Sequence, residues 1–233
     1  MNDRTYDKDF VYKHRNPYHD RLAGFEDFVL RDNDAEQFPG EWNKKIFHNE
    51  NPICMEIGSG YGHFMVEFCE KNPELNFVGM DYRFKRSFNL AKKLSKLPAQ
   101  NFKYLRARGE RIQHIFGESE VDRIFYFFPD PWPKARHNKK RLFQEPFLEN
   151  AHKVLKSGGR IYCKTDHDDY ADWMFEFIEK TDLFELEYKT YNLWADENPD
   201  EFLTSFKTKF EKIFIQKETP IKAFVLKSKK TNN

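Results

Sequence analysis

Three prolines within five residues, Pro129, Pro131 and Pro133, follow directly on the β-branched and aromatic run Asp122-Arg123-Ile124-Phe125-Tyr126-Phe127-Phe128. That run predicts a strand, and Pro129 ends it because proline has no N–H to offer the next ladder position. With a proline on each side, Asp130 keeps little backbone freedom, so its carboxylate and the Trp132 ring are fixed at small further entropic cost. Five cations come next, Lys134, Arg136, Lys139, Lys140 and Arg141, in a chain of 233 residues whose formal net charge is only +1. The positive charge is therefore local, and it suits phosphate. A proline-rich turn before a solvated basic loop would also account for these residues. An acid, an aromatic plate and a cationic arm at a strand's C-terminal end, however, stand where open α/β sheets bind their ligands.

The strand before this block belongs to a series. Ile53-Cys54-Met55-Glu56-Ile57 is an apolar strand that breaks into the alternating glycines Gly58, Gly60 and Gly62, and His63 to Lys71 reads as a helix. Glycines at such a turn either make it tight or let the backbone approach a ligand. Glu56 favours the second reading, because an acid inside an apolar strand is costly to bury without a partner. Asn76-Phe77-Val78-Gly79-Met80-Asp81 is a second strand ending in an acid, which suits either ribose hydroxyls or the cap of the basic helix expected from Phe84 to Lys96. Strands follow at Asn101–Leu105 and Asp122–Phe128. A helix over Leu142–Leu155 stops at Ser157-Gly158-Gly159, and Arg160–Lys164 is the next strand. That strand ends in Asp166-His167-Asp168-Asp169, which fits helix capping better than metal binding, ahead of a helix from Tyr170 to Lys180. Two further strands, Phe184–Tyr191 and Ile221–Leu226, complete the pattern, with Thr208-Lys209-Phe210-Glu211 on a loop or helix start between them. Strand alternating with helix predicts a mostly parallel, doubly wound α/β sheet with helices on both faces.

Residues 1–34 are polar, aromatic and unpatterned, and read as an N-terminal arm ahead of one domain over 35–233, with a short helix from Glu36 to Phe47. No apolar run reaches the length of a bilayer span, and Met1-Asn2-Asp3-Arg4 is no apolar signal segment, which together predict a soluble cytoplasmic protein. Cys54, Cys69 and Cys163 have no paired spacing and suit buried free thiols; no metal is expected.

Met55-Glu56-Ile57-Gly58-Ser59-Gly60-Tyr61-Gly62 resembles the cofactor-binding turn of class I S-adenosylmethionine-dependent methyltransferases. Phe127 to Arg141, with Pro129-Asp130-Pro131-Trp132-Pro133-Lys134 at its heart, resembles the signature of the bacterial tRNA (guanine-N7)-methyltransferases. The likeness runs from about Ile53 to Leu226. It implies a Rossmann-like, mostly parallel seven-stranded sheet, S-adenosylmethionine as cofactor, and tRNA as substrate, methylated at N7 of a guanosine in the variable loop. Carried over residue by residue, Asp130 is the active-site carboxylate, and Glu56, Gly58, Gly60, Asp81, Arg108 and Asp130 are cofactor positions. Lys134, Asp166, Thr208, Lys209, Phe210 and Glu211 become substrate positions. Arg108 departs from the family, which usually has an acid or amide there, so the adenine contact falls either to main-chain groups near Arg108 or to Glu110. A methyltransferase for proteins or small molecules would keep Glu56 to Asp81 without needing the basic block. A non-catalytic nucleotide-binding protein or an NAD-dependent dehydrogenase would use the same glycines and Asp81.

Overall fold

Each strand of the sheet sends alternate side chains to opposite faces, and this divides the core in two. A computed structural model describes residues 4–13, 16–98 and 100–231. Its eight strands are β1 (Val29–Arg31), β2 (Ile53–Ile57), β3 (Asn76–Met80), β4 (Phe102–Arg106), β5 (Val121–Phe127), β6 (Leu155–Thr165), β7 (Phe184–Thr190) and β8 (Lys222–Ser228). They form one sheet in the order β1-β4-β3-β2-β5-β6-β8-β7, in which β1 to β6 pair in parallel and β8 is antiparallel to both β6 and β7. From β2, Ile53, Met55 and Ile57 join one core cluster while Cys54 joins the other; β5 divides likewise, with Ile124 and Tyr126 against Phe125 and Phe127.

The helices cover both faces. The first core takes side chains from α4 (Ile112–Ile115), α5 (Glu145–Val154) and α6 (Asp168–Lys180), and the second from α2 (His63–Lys71), α3 (Phe84–Leu94) and α7 (Glu201–Ser205). α1 (Pro17–Arg21) packs near α3, and α8 (Lys209–Gln216) precedes β8. The chain order reverses at β2, which lies between β3 and β5, so the ligand crevice of such a sheet falls at the C-terminal ends of these three strands.

Several expectations need correction. The sheet has an eighth strand, because Val29–Arg31 pairs with Tyr104–Arg106 at the sheet edge. Residues 1–3 and 14–15 of the expected arm lie outside the described residues; much of the rest is tied to the domain. Buried Arg111 holds Glu36 through two nitrogens at 2.8 and 2.7 Å and donates to the Thr5 carbonyl at 2.8 Å and to the Asp7 carbonyl. In place of one helix over 36–47 there are a 3-10 turn over Asp32–Glu36 and a π-helical segment over Trp42–Phe47. Gly158 and Gly159 do not end α5 but lie within β6, where Gly158 takes a φ of +69°. All three cysteines are free and buried, and burial pushes the Cys54 thiol up to about 12.

Candidate active site

The turn after β2 is stitched to the end of β3. The N–H groups of Gly58 and Ser59 both donate to the Met80 carbonyl at 2.8 Å, and the Ser59 hydroxyl accepts from Met80 N–H at 3.0 Å. Gly58 has a φ of +86° with open space where a Cβ would stand, so the backbone itself forms the cavity wall. Gly62, at +66°, begins α2 so close to Leu90 that any side chain there would collide with it.

Glu56 lies beneath this turn, 5% exposed, and its Oε2 has no hydrogen-bond partner among the described residues. Burial raises its carboxyl to about 8, against a smaller opposing effect of Ser59, and the nearby Asp81 adds to the rise. Asp81 is also buried. Its Oδ2 accepts from Gly60 N–H at 3.1 Å and its Oδ1 from Arg83 N–H at 2.8 Å, so it braces the glycine turn and the start of α3 together. Burial lifts its carboxyl above the usual carboxylate range, and these N–H groups and the Arg86 and Arg83 charges oppose that lift. A carboxylate with two bonds made retains lone pairs for hydroxyl donors.

A cavity of about 930 Å³ opens over these strand ends, lined by Gly58, Asp81, Arg108, Glu110, Phe128 and Asp130 among others. Arg108 and Glu110 face each other there at 3.3 Å, and the Arg108 main-chain N–H donates to the Tyr12 hydroxyl at 3.4 Å. Tyr6 and Asp7 also line the wall, so the N-terminal segment borders the cavity.

Asp130 stands at the rim with 45% of its side chain exposed, and the Arg83 guanidinium reaches its Oδ2 at 3.1 Å. The sequence alone assigns Arg83 no role, and its place two residues after the acid-ended strand β3 is the available signal. The prolines do more than stiffen. Phe128 and Trp132, on either side of Pro129-Asp130-Pro131, take φ values of +49° and +46°. For bulky residues that conformation costs on the order of 1 kcal/mol or more each, and such strain gathers at functional sites. The Phe128 ring stacks on Phe214 at 5.7 Å, and Phe214 stacks on Phe210 at 6.5 Å, which is 53% exposed.

The basic arm divides into two parts. Lys134, Arg136, Lys139 and Lys140 are exposed, Lys139 and Lys140 line the cavity, and the Lys140 ammonium lies 4.5 Å from the Trp132 ring centroid. Arg141, expected to hold phosphate, is buried instead: its Nε donates to the Pro131 carbonyl at 2.9 Å and its guanidinium lies over Tyr170 and Trp173. It is a strut for the Pro-Asp-Pro turn.

Lys134 and the other expected substrate residues, Asp166, Thr208, Lys209, Phe210 and Glu211, lie outside the cavity lining. Thr208 and Glu211 are buried and form the capping box of α8, with Glu211 N–H donating to Thr208 Oγ1 at 3.1 Å. Glu211 also accepts from buried Lys164 at 2.9 and 3.0 Å and from Trp194 at 3.2 Å. Burial draws the Lys164 ammonium down and lifts the Glu211 carboxyl, each held back by the other's charge. The pair anchors the start of α8 to β6, leaving Lys209 and Phe210 exposed. Asp166 is half-buried at the end of β6, and its carbonyl accepts from Lys222 at 3.2 Å. Asp168 and Asp169 occupy the first turn of α6, and among the described residues no group of three His, Cys, Asp or Glu is arranged to hold a metal.

A family described as "Putative methyltransferase" matches residues 50–224. A tRNA (guanine-N(7)-)-methyltransferase of Enterococcus faecalis is 34% identical over 193 residues, covering 83% of this chain and 86% of that protein. A bifunctional glycosyltransferase/methyltransferase of Fusobacterium nucleatum is 34% identical over 203 residues, 87% of this chain, and the chain spans 31% of its length. Among solved structures, a 16S rRNA methyltransferase, KamB, superposes with a TM-score of 0.59 at 16% identity, covering 82% of this chain and 94% of that one, which establishes the shared fold.

Proposed function

Since the chain belongs to the tRNA (guanine-N7)-methyltransferase family, we propose that it methylates N7 of a guanosine in the variable loop of tRNA, in the cytoplasm, with S-adenosylmethionine as the methyl donor. The observation that carries this reading is the position of Asp130, at the rim of one cavity that also contains Gly58, Asp81 and the arm residues Lys139 and Lys140.

The residues fit the cofactor. The orphaned Oε2 of Glu56 beneath the glycine turn offers a counter-charge for its ammonium group, the open face of Gly58 allows close backbone approach, and Asp81 can accept from the ribose hydroxyls. Glu110, which lines the cavity and accepts from Arg108 at 3.3 Å, is the acid assigned to the adenine amine. When bound, S-adenosylmethionine supplies an electrophilic methyl on a sulfonium.

Guanine N7 carries an in-plane lone pair and no proton, so the reaction requires no general base. It needs alignment, and compensation for the positive charge that develops on the purine. Asp130 provides both: it accepts from guanine N1–H and the exocyclic amine, which orients the base, and its charge opposes the cation. Arg83 holds the carboxylate in place in the free protein. Trp132 and the Phe128–Phe214 stack offer ring faces for a base drawn out of the tRNA fold. Lys134 stands beside the reacting base, and the exposed arm binds phosphates. Thr208 and Glu211 act as positioning residues that present Lys209 and Phe210 to the RNA, while Asp166 holds a substrate position at the end of β6.

The test is incubation with unmodified tRNA and methyl-labelled cofactor, followed by strand scission at 7-methylguanosine. One cleavage in the variable loop is expected; label in RNA without 7-methylguanosine would overturn the proposal.

A further inference from the structure

A second cleft, of about 530 Å³, adjoins the cofactor cavity and shares Tyr82, Arg83, Arg86 and Arg108 with it. Six of its twelve lining residues are Lys or Arg, five are aromatic, and none is Asp or Glu. Three of the cations are offset by acids elsewhere: Arg83 by Asp130, Arg106 by Asp32 and Arg108 by Glu110. Lys85 and Arg86 form no ion pair among the described residues, and the buried Nε of Arg106 has no hydrogen-bond partner. Tyr61 and Tyr82, two of the few large side chains left exposed, are 48% and 37% accessible.

The start of α3 sharpens the point. Its first turn has no acid, and although Asp81 just before it accepts from Arg83 N–H at 2.8 Å, the three cations Arg83, Lys85 and Arg86 crowd the end where the helix dipole is already positive. Cations there oppose folding locally, and an anion bound among them removes the conflict. S-adenosylmethionine has no phosphate, and its single carboxylate belongs to the amino-acid end assigned to Glu56 and the glycine turn, so the α3 cations are left for another anion.

We propose that this cleft is a second RNA subsite, distinct from the basic arm. It takes the sugar-phosphate backbone of tRNA nucleotides next to the target guanosine on Lys13, Lys85, Arg86 and the α3 N-terminus, all of which line the cleft, with an unstacked base against Tyr61. The inference rests on the tRNA-methylating reading. Through Arg83 and Arg86 the cleft is continuous with the Asp130 rim, which meets the arm at Lys139 and Lys140 on the same cavity. The RNA then crosses the catalytic acid between two cationic surfaces.

Filter-binding titrations of tRNA over a range of salt, on the whole protein, test this with the Lys13→Ala/Lys85→Ala variant and with Tyr61→Leu. Both lysines are exposed and outside the cofactor cavity. The double variant should lower the slope of log affinity against log salt by about one to two units and leave calorimetric affinity for S-adenosylmethionine unchanged. Tyr61→Leu should weaken tRNA roughly tenfold with little change of slope. If wild-type protein makes 7-methylguanosine while both variants bind tRNA as tightly and with the same slope, the cleft is no RNA subsite and the functional reading stands. A loss of cofactor affinity in the double variant would equally overturn the proposal by assigning the cleft to the cofactor. If wild-type protein neither binds nor methylates tRNA, the functional reading fails and the inference with it.

Discussion

Replacing Glu56 with glutamine removes one titratable proton from the cofactor site and keeps the side chain's shape. In the free protein, burial raises the Glu56 carboxyl to about 8. At pH 7 such a group is about nine-tenths protonated, since one pKa unit corresponds to a tenfold ratio. A cationic ammonium near Oε2 favours the carboxylate, so cofactor binding should drive the proton off. Wild-type protein should therefore release about 0.9 proton more per cofactor bound than Glu56→Gln at pH 7, and about 0.1 more at pH 9. Calorimetry in phosphate and in Tris measures this, because the dependence of the observed heat on the buffer's ionisation enthalpy gives the proton count. Subtracting the Glu56→Gln value removes protons contributed by the cofactor's own amino group. Equal release by the two proteins at pH 7 would refute the reasoning and leave Glu56 as a support of the glycine turn. The same shift governs the stability of the free protein. A carboxyl whose folded pKa exceeds its unfolded value holds its proton more tightly when folded, so its contribution is complete below about 4.5 and is lost as the pH rises through about 8. Glu56→Gln should accordingly raise the Tm of the free protein at pH 8 and leave it unchanged near pH 4.5.

Three further outcomes are expected. Asp81→Ala should weaken S-adenosylmethionine by about 1.5 to 3 kcal/mol in calorimetry and tRNA far less, because a charge-assisted bond to the ribose is lost; unchanged cofactor affinity would return Asp81 to bracing Gly60 and Arg83 alone. Lys139→Ala/Lys140→Ala should lower the salt slope of tRNA binding by about one to two units with no effect on cofactor affinity, whereas Lys134→Ala should slow methyl transfer even at saturating tRNA. Glu211→Ala should cost about 3 to 5 kcal/mol in denaturant unfolding, because buried Lys164 loses its counter-charge; a loss below about 1 kcal/mol would mean that the pair does not anchor α8.

Much of the site was legible because it depends on local rules. A strand broken by glycines, a strand ended by an acid and a strand stopped by proline each carry their own signal, and β2, β3 and β5 bring all three to one crevice. What escaped depends on distant partners. Val29–Arg31 is too short to show strand periodicity and becomes a strand only through pairing with β4. Gly158 and Gly159 look like a helix stop, yet they form an irregularity inside β6, where the register against β5 jumps from Val121–Leu155 to Arg123–Arg160 and Gly158 supplies the positive φ. Arg141 is one cation among five in the sequence, and only the fold places it over Tyr170 and Trp173. Thr208 and Glu211 follow the same logic. Their three-residue spacing is a capping-box signature, but the buried lysine that fixes Glu211 comes from a strand more than forty residues earlier. The arm residues Tyr6 and Asp7 offered no pattern, since their place at the cavity is set by main-chain carbonyls held by Arg111.

Single-turnover methyl transfer by Asp130→Ala, with tRNA and S-adenosylmethionine both saturating, tests most directly the claim that this carboxylate aligns guanine and offsets its developing charge. Asp130 is half-exposed and its ion pair with Arg83 is at the surface, so the variant should fold and bind the cofactor as the wild type does. Loss of one preorganised charged contact costs about 3 kcal/mol or more, and the rate should fall by roughly a hundredfold or greater. A rate within about threefold of wild type, less than 1 kcal/mol of barrier, would contradict the account and move the chemistry away from the Pro-Asp-Pro turn.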